Sequence, residues 1–207
     1  MALLVATVGV RWGAVAPLFL TSLAIMGSPG PATISLVVAG AAYGVRRSLG
    51  YLAGIVAGTA AVLLAVATGV TATLLALPGM RIVLVCFSAA YILRLAYRIA
   101  LAPPLDVRAG PDRAPSLAGG AAFALANPKA FVAITAAFTS ATLSSAAVTD
   151  AAAKVVVFAL VIVLYMPVWL VAGASLAPLL RDPRRARLIN VTLALALVAS
   201  VGLAVLH

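Results

Sequence analysis

Apolar residues run along this chain in long blocks that no charge interrupts. Residues 12–45 make 34 such positions, 48–80 make 33, 155–180 make 26 and 188–207 make 20. A hydrocarbon core about 30 Å thick needs roughly 20 apolar residues as helix, and each block reaches that length. Punctuating the chain at charges and at Pro/Gly clusters predicts an all-α polytopic membrane protein of about six spans. Helix 1 covers about 12–43, interrupted at Ser28-Pro29-Gly30-Pro31 and closed by Arg46-Arg47. Helix 2 covers about 49–77 and ends at Pro78-Gly79; helix 3 covers about 82–101. Residues 103–115 form the plainly hydrophilic connection. Helix 4 covers about 117–142 with a break at Asn127-Pro128, helix 5 about 154–180 with Pro167 inside, and helix 6 runs from about 188 to the end. Five spans remain open if helix 3 does not cross.

Composition points the same way. The 207 residues are 65% hydrophobic and 9% charged, against about 45–50% and about 25% in a soluble domain. So few charges cannot cover a water-facing surface. The charges are also lopsided, with 14 Lys+Arg against 4 Asp+Glu. The bases sit between apolar spans and not along one soluble face, so membrane topology explains them better than nucleic acid, which is not expected as a partner. Arg46, Arg47, Arg94, Arg98, Arg108, Arg113, Arg181, Arg184, Arg185 and Arg187 fall on one side of a six-span layout. Arg11, Arg81 and Lys154 fall on the other. The positive-inside rule then puts the basic loops in the cytoplasm and both termini outside. The apolar start, Met1 to Val10, lacks a basic n-region and reads as a lead-in to helix 1 instead of a cleavable signal.

The layout divides in two, with a three-helix repeat over 1–103 and another over 104–207. A proline-broken helix opens each half, at Pro29 and at Pro128. Three helices per half require opposite insertion, and such inverted repeats place a transporter's site near the midplane.

Two strings carry the candidate chemistry. Ser28, Pro29, Gly30 and Pro31 remove backbone donors and break the helical ladder inside an apolar segment. Non-helical chain at membrane depth belongs where it is buried in protein or lines a wet cavity. A helix restarting after Pro31 offers free N–H groups and a positive dipole end, which suits a carboxylate. A simple kink or a turn between two short helices accounts for this string alone equally well. Asn127, Pro128 and Lys129 make the same break in the second half: Pro128 pushes Asn127 out of helical geometry, and Lys129 stands alone in an uncharged stretch. An intramembrane Lys costs about 2.5–3.5 kcal/mol on insertion scales and is a functional candidate by default. The alternative is two short helices with Lys129 reaching the interface. Gly50, Gly54 and Gly58 recur every four residues and predict a smooth helix-packing ridge; lining a pathway or a dimer contact is the lesser alternative.

Absences limit the remaining classes. The single Cys86 excludes an intramolecular disulfide. The only histidine is His207, and Asp106, Asp112, Asp150 and Asp182 sit in predicted loops or at helix ends. No metal site, no cofactor and no catalytic residues are expected, so the chain does not read as an enzyme.

In these motifs the chain resembles the LysE (lysine exporter) family of amino-acid efflux translocators. The resemblance is carried by Ser28-Pro29-Gly30-Pro31, the Gly54/Gly58 pair and Asn127-Pro128-Lys129, in order, over nearly the whole chain. It implies a six-helix exporter of amino acids or similar small metabolites in a bacterial inner membrane, driven by the proton gradient. Many members of that family carry an acidic residue after the second glycine of helix 2, where this chain has Thr59. With no carboxylate inside a span, a cationic substrate lacks a counter-charge, and a neutral, zwitterionic or anionic one is expected. Membrane lipids are expected partners, and homo-oligomerisation stays open. A lipid-associated accessory or scaffold protein is the alternative, because the arginine loops suit anionic head groups.

Overall fold

The computed structural model describes residues 9–71, Gly79, scattered positions between 82 and 101, 115–179, and 182–206. The expected helix 3, the connection 103–115, and Arg81, Arg98, Arg108, Arg113 and Arg181 lie wholly or mostly outside them. The described elements are α1 (Trp12–Gly27), α2 (Pro31–Ala67), α3 (Leu117–Leu125), α4 (Pro128–Thr139), α5 (Ala147–Ser175) and α6 (Pro183–Leu206). No strand occurs among the described residues.

α2 is two arms joined at a sharp turn. Gly44 has φ 74°, the left-handed region that a side chain disfavours. In a straight helix Ala39 and Ser48 would stand about 13 Å apart along the axis. Here the Ser48 hydroxyl donates to the Ala39 carbonyl at 3.0 Å. The arms 31–43 and 45–67 therefore fold back on each other, and the exposed Arg46 and Arg47 follow the turn directly. The expected boundary between helices 1 and 2 falls here.

Three other boundaries move. The second arm of α2 ends at Thr68-Gly69 instead of continuing unbroken to 77, because Gly69 turns left-handed at φ 77°. α5 begins at Ala147, a full two turns before Lys154. Asp150 and Lys154 form an i,i+4 ion pair at 2.7 Å, so the lysine sits inside the helix and is 5% exposed. It does not mark the helix end as expected. α6 begins at Pro183 and not near 188: Asp182 accepts from the N–H groups of Arg184 and Arg185, both at 2.9 Å. An aspartate cap followed by proline at the first helical position is a strong start signal. The Arg185 N–H first, then that of Arg184, holds the Asp182 carboxyl below the usual carboxylate range.

The core is an apolar cluster in which α1, the two arms of α2, α3, α4 and α5 meet, centred on Leu36, Ile55, Phe123, Ile134, Phe158 and Met166. Beyond Lys154, α5 presents apolar residues on its inner and outer faces alike. Phe158, Ile162, Met166 and Leu170 face inward, while Val156, Val163, Val168 and Val171 are more than half exposed. A surface of that kind needs an apolar solvent. Among the described residues, α5 and the second arm of α2 are each long and apolar enough to cross a membrane. The α3–α4 pair, bent by 61°, makes a third if it counts as one span. Together α3 and α4 make about 32 Å of helix at the helical rise, which the 61° bend shortens to about 27 Å end to end, close to a bilayer's hydrocarbon thickness.

Candidate functional site

The first break lies between α1 and α2. α1 stops at Gly27, Ser28 is extended, and Pro31 starts the next helix at its first position. Stopping a helix frees carbonyls at its end, and in an apolar surrounding each needs a donor. The Ser28 hydroxyl donates to Ile25 O at 2.8 Å, and the Trp169 indole of α5 donates to Gly27 O at 3.1 Å. Thr33 closes the start of α2: the Gly30 N–H donates to its hydroxyl at 2.8 Å, and that hydroxyl donates back to Gly30 O at 3.0 Å.

The second break lies between α3 and α4. Asn127 is the cap residue, its side-chain oxygen accepting the Lys129 N–H at 3.2 Å, with Pro128 at the first helical position. Asn127 is buried. The same local logic, a cap followed by proline, thus starts a helix at each break.

Lys129 joins them. Its ammonium donates to the Ser28 carbonyl, to the Ser28 hydroxyl at 2.8 Å and to the Pro29 carbonyl at 3.0 Å. All three N–H donors are thereby placed on the end of α1, where the helix dipole is negative and favours a cation. Among the described residues no carboxylate pairs with this ammonium, so two carbonyl dipoles and the Ser28 hydroxyl offset its charge. Gly30 makes room for it. A Cβ on Gly30 would lie 2.5 Å from Lys129 Cδ and 2.9 Å from Nζ.

A small cavity opens beside this contact. Gly30, Thr33, Asn127 and Lys129 line it from the two breaks, with Thr59 of α2 and Tyr165 of α5 across from them. Its volume of about 20 Å³ admits a water molecule, which needs roughly 10–15 Å³, and falls far short of an amino acid. Ser28, Pro29 and Pro31 belong to the break but not to the cavity wall, and Pro128 only sets the start of α4.

The glycines divide in function. A Cβ on Gly54 would collide with the Leu117 carbonyl, and one on Gly58 would meet the Ala121 carbonyl and the Ala124 Cβ at 2.7 Å. Gly120 answers from α3, with its Cα against the backbone of Tyr51. Gly50 meets nothing within 4 Å among the described residues, so the packing ridge is Gly54 and Gly58 without Gly50. A second glycine contact, absent from the sequence reading, sets Gly40 against the Leu170 carbonyl and Gly173 against that of Val37. Each of these contacts needs both helices to carry a glycine, and a single chain does not show which distant glycines meet.

Sequence reasoning also missed Thr33, Tyr165 and Met26 at the cavity, and the Asp150–Lys154 pair. For the pair a signal was present in the i,i+4 spacing. Tyr165 and Met26 carry none, being single residues within apolar runs.

Among known proteins, the family model described as LysE type translocator matches residues 23–207, most of the sequence. No curated protein and no solved structure matches.

Proposed function

The chain belongs to the LysE type translocator family, and from that membership we propose that it exports amino acids or similar small metabolites, preferring neutral or zwitterionic ones. The family and the apolar helices make it an integral membrane translocator. The observation that carries the finer reading is Lys129: an ammonium without a carboxylate partner among the described residues, at a cavity where two proline-started helices present their N-termini. A substrate carboxylate completes that electrostatic arrangement. It binds between the restarted helices at Gly30-Pro31 and Asn127-Pro128, drawing the ammonium from the Ser28 and Pro29 oxygens. Thr59 supplies a hydroxyl, not a negative charge, on the opposite wall. A cationic side chain finds no counter-charge there, which disfavours lysine and arginine.

The present cavity is too small for such a substrate, so the helices around it part during transport. Close glycine contacts bind the first arm of α2 to α5 and the second arm to α3, leaving side-chain-packed seams as the surfaces that separate. In this proposal the two broken helices are equivalent parts of inverted repeats, export is driven by a proton gradient, and the basic loops face the cytoplasm of a bacterial inner membrane.

The test is efflux from cells preloaded with a labelled amino-acid panel, comparing the protein with Lys129→Ala at equal membrane levels. Export of one neutral amino acid that disappears in the variant supports the reading. Saturable export of lysine or arginine refutes the substrate preference, and no export of any amino acid favours the lipid-associated role.

A further inference from the structure

One ion pair, its lysine buried and its aspartate partly exposed, stands away from the cavity. Asp150 and Lys154 contact at 2.7 Å with side chains 17% and 6% exposed. The second Asp150 oxygen accepts the N–H groups of Leu143 and Ser144, fastening the α4–α5 connection to α5. Leu143 in turn accepts the Arg11 N–H at 2.7 Å through its carbonyl, which fastens the start of α1. The Lys154 ammonium lies 5.0 Å from the centre of the Phe138 ring on α4. One carboxylate and one ammonium thus hold α1, α4 and α5 together at one end of the bundle.

That end lies along α5 from the cavity. Tyr165 lines the cavity and Lys154 is about 16 Å nearer the start of α5 at the helical rise. Between them runs a closed seam. On α5 it is Ile162, Val161 and Phe158; on α4, Ala137 and Phe138; on α1, Ser22 and Leu18, successive turns below the cavity residue Met26. Phe138 and Phe158 meet across it at 5.8 Å. Ser22 is the exception in this apolar layer: it is fully buried, and its hydroxyl has no hydrogen-bond partner among the described residues. A lone hydroxyl without a partner is a cost in a closed seam and an asset in one that opens to a polar solute.

We propose that the α1–α4–α5 seam is the closed half of the substrate path, that Asp150 and Lys154 are positioning residues latching it, and that Ser22 lines it when open. The inference rests on the carrier reading. Breaking the pair removes the differential stability of the closed arrangement and shifts the population toward the open one.

The test uses the full chain with the exposed Cys86 replaced by alanine and Ser22→Cys as reporter. A membrane-impermeant thiol reagent is applied to intact cells and, separately, to inverted vesicles, and thermal melting in detergent checks folding. Slow labelling is expected with the pair intact or with Lys154→Arg. Labelling about tenfold faster, from one side only, is expected with Lys154→Met and with Asp150→Asn. The amide in Asp150→Asn keeps an oxygen for the two N–H groups, so that variant loses the charge without the cap. Rates unchanged in folded variants, rates raised equally from both sides, fast labelling with the pair intact, or failure of both variants to fold would each overturn the latch. Labelling needs no substrate. One-sided labelling without efflux of any amino acid would therefore leave the latch standing while the amino-acid reading fails.

Discussion

The Lys129 ammonium and the Ser28 hydroxyl lie 2.8 Å apart across 101 residues of sequence. That one contact joins the two interrupted helices. It also explains how an interrupted helix is tolerated in an apolar surrounding: the carbonyls freed at the end of α1 receive donors from Lys129, Ser28 and Trp169. Lys129 therefore serves structure and charge at once, and its substitutions separate the two.

Lys129→Met removes the ammonium and leaves the Ser28 and Pro29 carbonyls without it. Efflux should fall about tenfold or more, and melting should report a loss of about 1–3 kcal/mol from the abandoned carbonyls. Lys129→Arg should restore much of the stability and little of the transport, because the planar guanidinium cannot fill the space beside Gly30 in the same way. Full efflux in Lys129→Met would show that the charge plays no part.

Gly30→Ala tests the space itself. Its Cβ would meet the movable end of Lys129 and not backbone, so the chain should fold and insert normally while the ammonium is displaced from α1. Efflux lost, with melting lowered by no more than in Lys129→Met, is the expected result; an unaffected transporter would mean that the close approach is incidental.

Gly54→Leu and Gly173→Leu meet backbone carbonyls of the facing helix. Overpacking of this kind costs about 1–3 kcal/mol or more, and both variants should melt earlier in detergent or fail to accumulate. Gly50→Leu should match the parent, since nothing described stands within 4 Å of the added carbon. A loss at Gly50 equal to that at Gly54 would refute this division of the ridge.

Asn127→Ala removes the cap that accepts the Lys129 N–H, and the expected loss is about 1 kcal/mol. Asn127→Asp keeps the acceptor and adds a negative charge at the cavity. It should therefore be stable and yet poor at exporting a carboxylate-bearing solute, measured as a raised substrate concentration for half-maximal efflux. A fully active Asn127→Asp would place the substrate carboxylate elsewhere.

Long charge-free blocks required a membrane, and the strings at 28–31 and 127–129 located both helix breaks to the residue. These features were legible because they act locally: proline removes a donor wherever it stands, and a run of apolar side chains needs an apolar solvent in any fold. The starts of α5 and α6 were misplaced for a related reason. Charges were read as marks of a helix end, whereas Asp150 neutralises Lys154 within a helix and Asp182 starts one.

By itself, then, the sequence determined the solvent of this protein, its helical class and the two points where its helices restart. Tertiary structure decided what those points are for. It put the Lys129 ammonium on the end of α1, chose Gly54 and Gly58 over Gly50 and paired Gly40 with Gly173. It also ran an apolar seam from the cavity to a partly buried ion pair. Each of these is a contact between residues distant in the chain, fixed by which helix faces which, and a pattern of single residues along one chain does not carry that information.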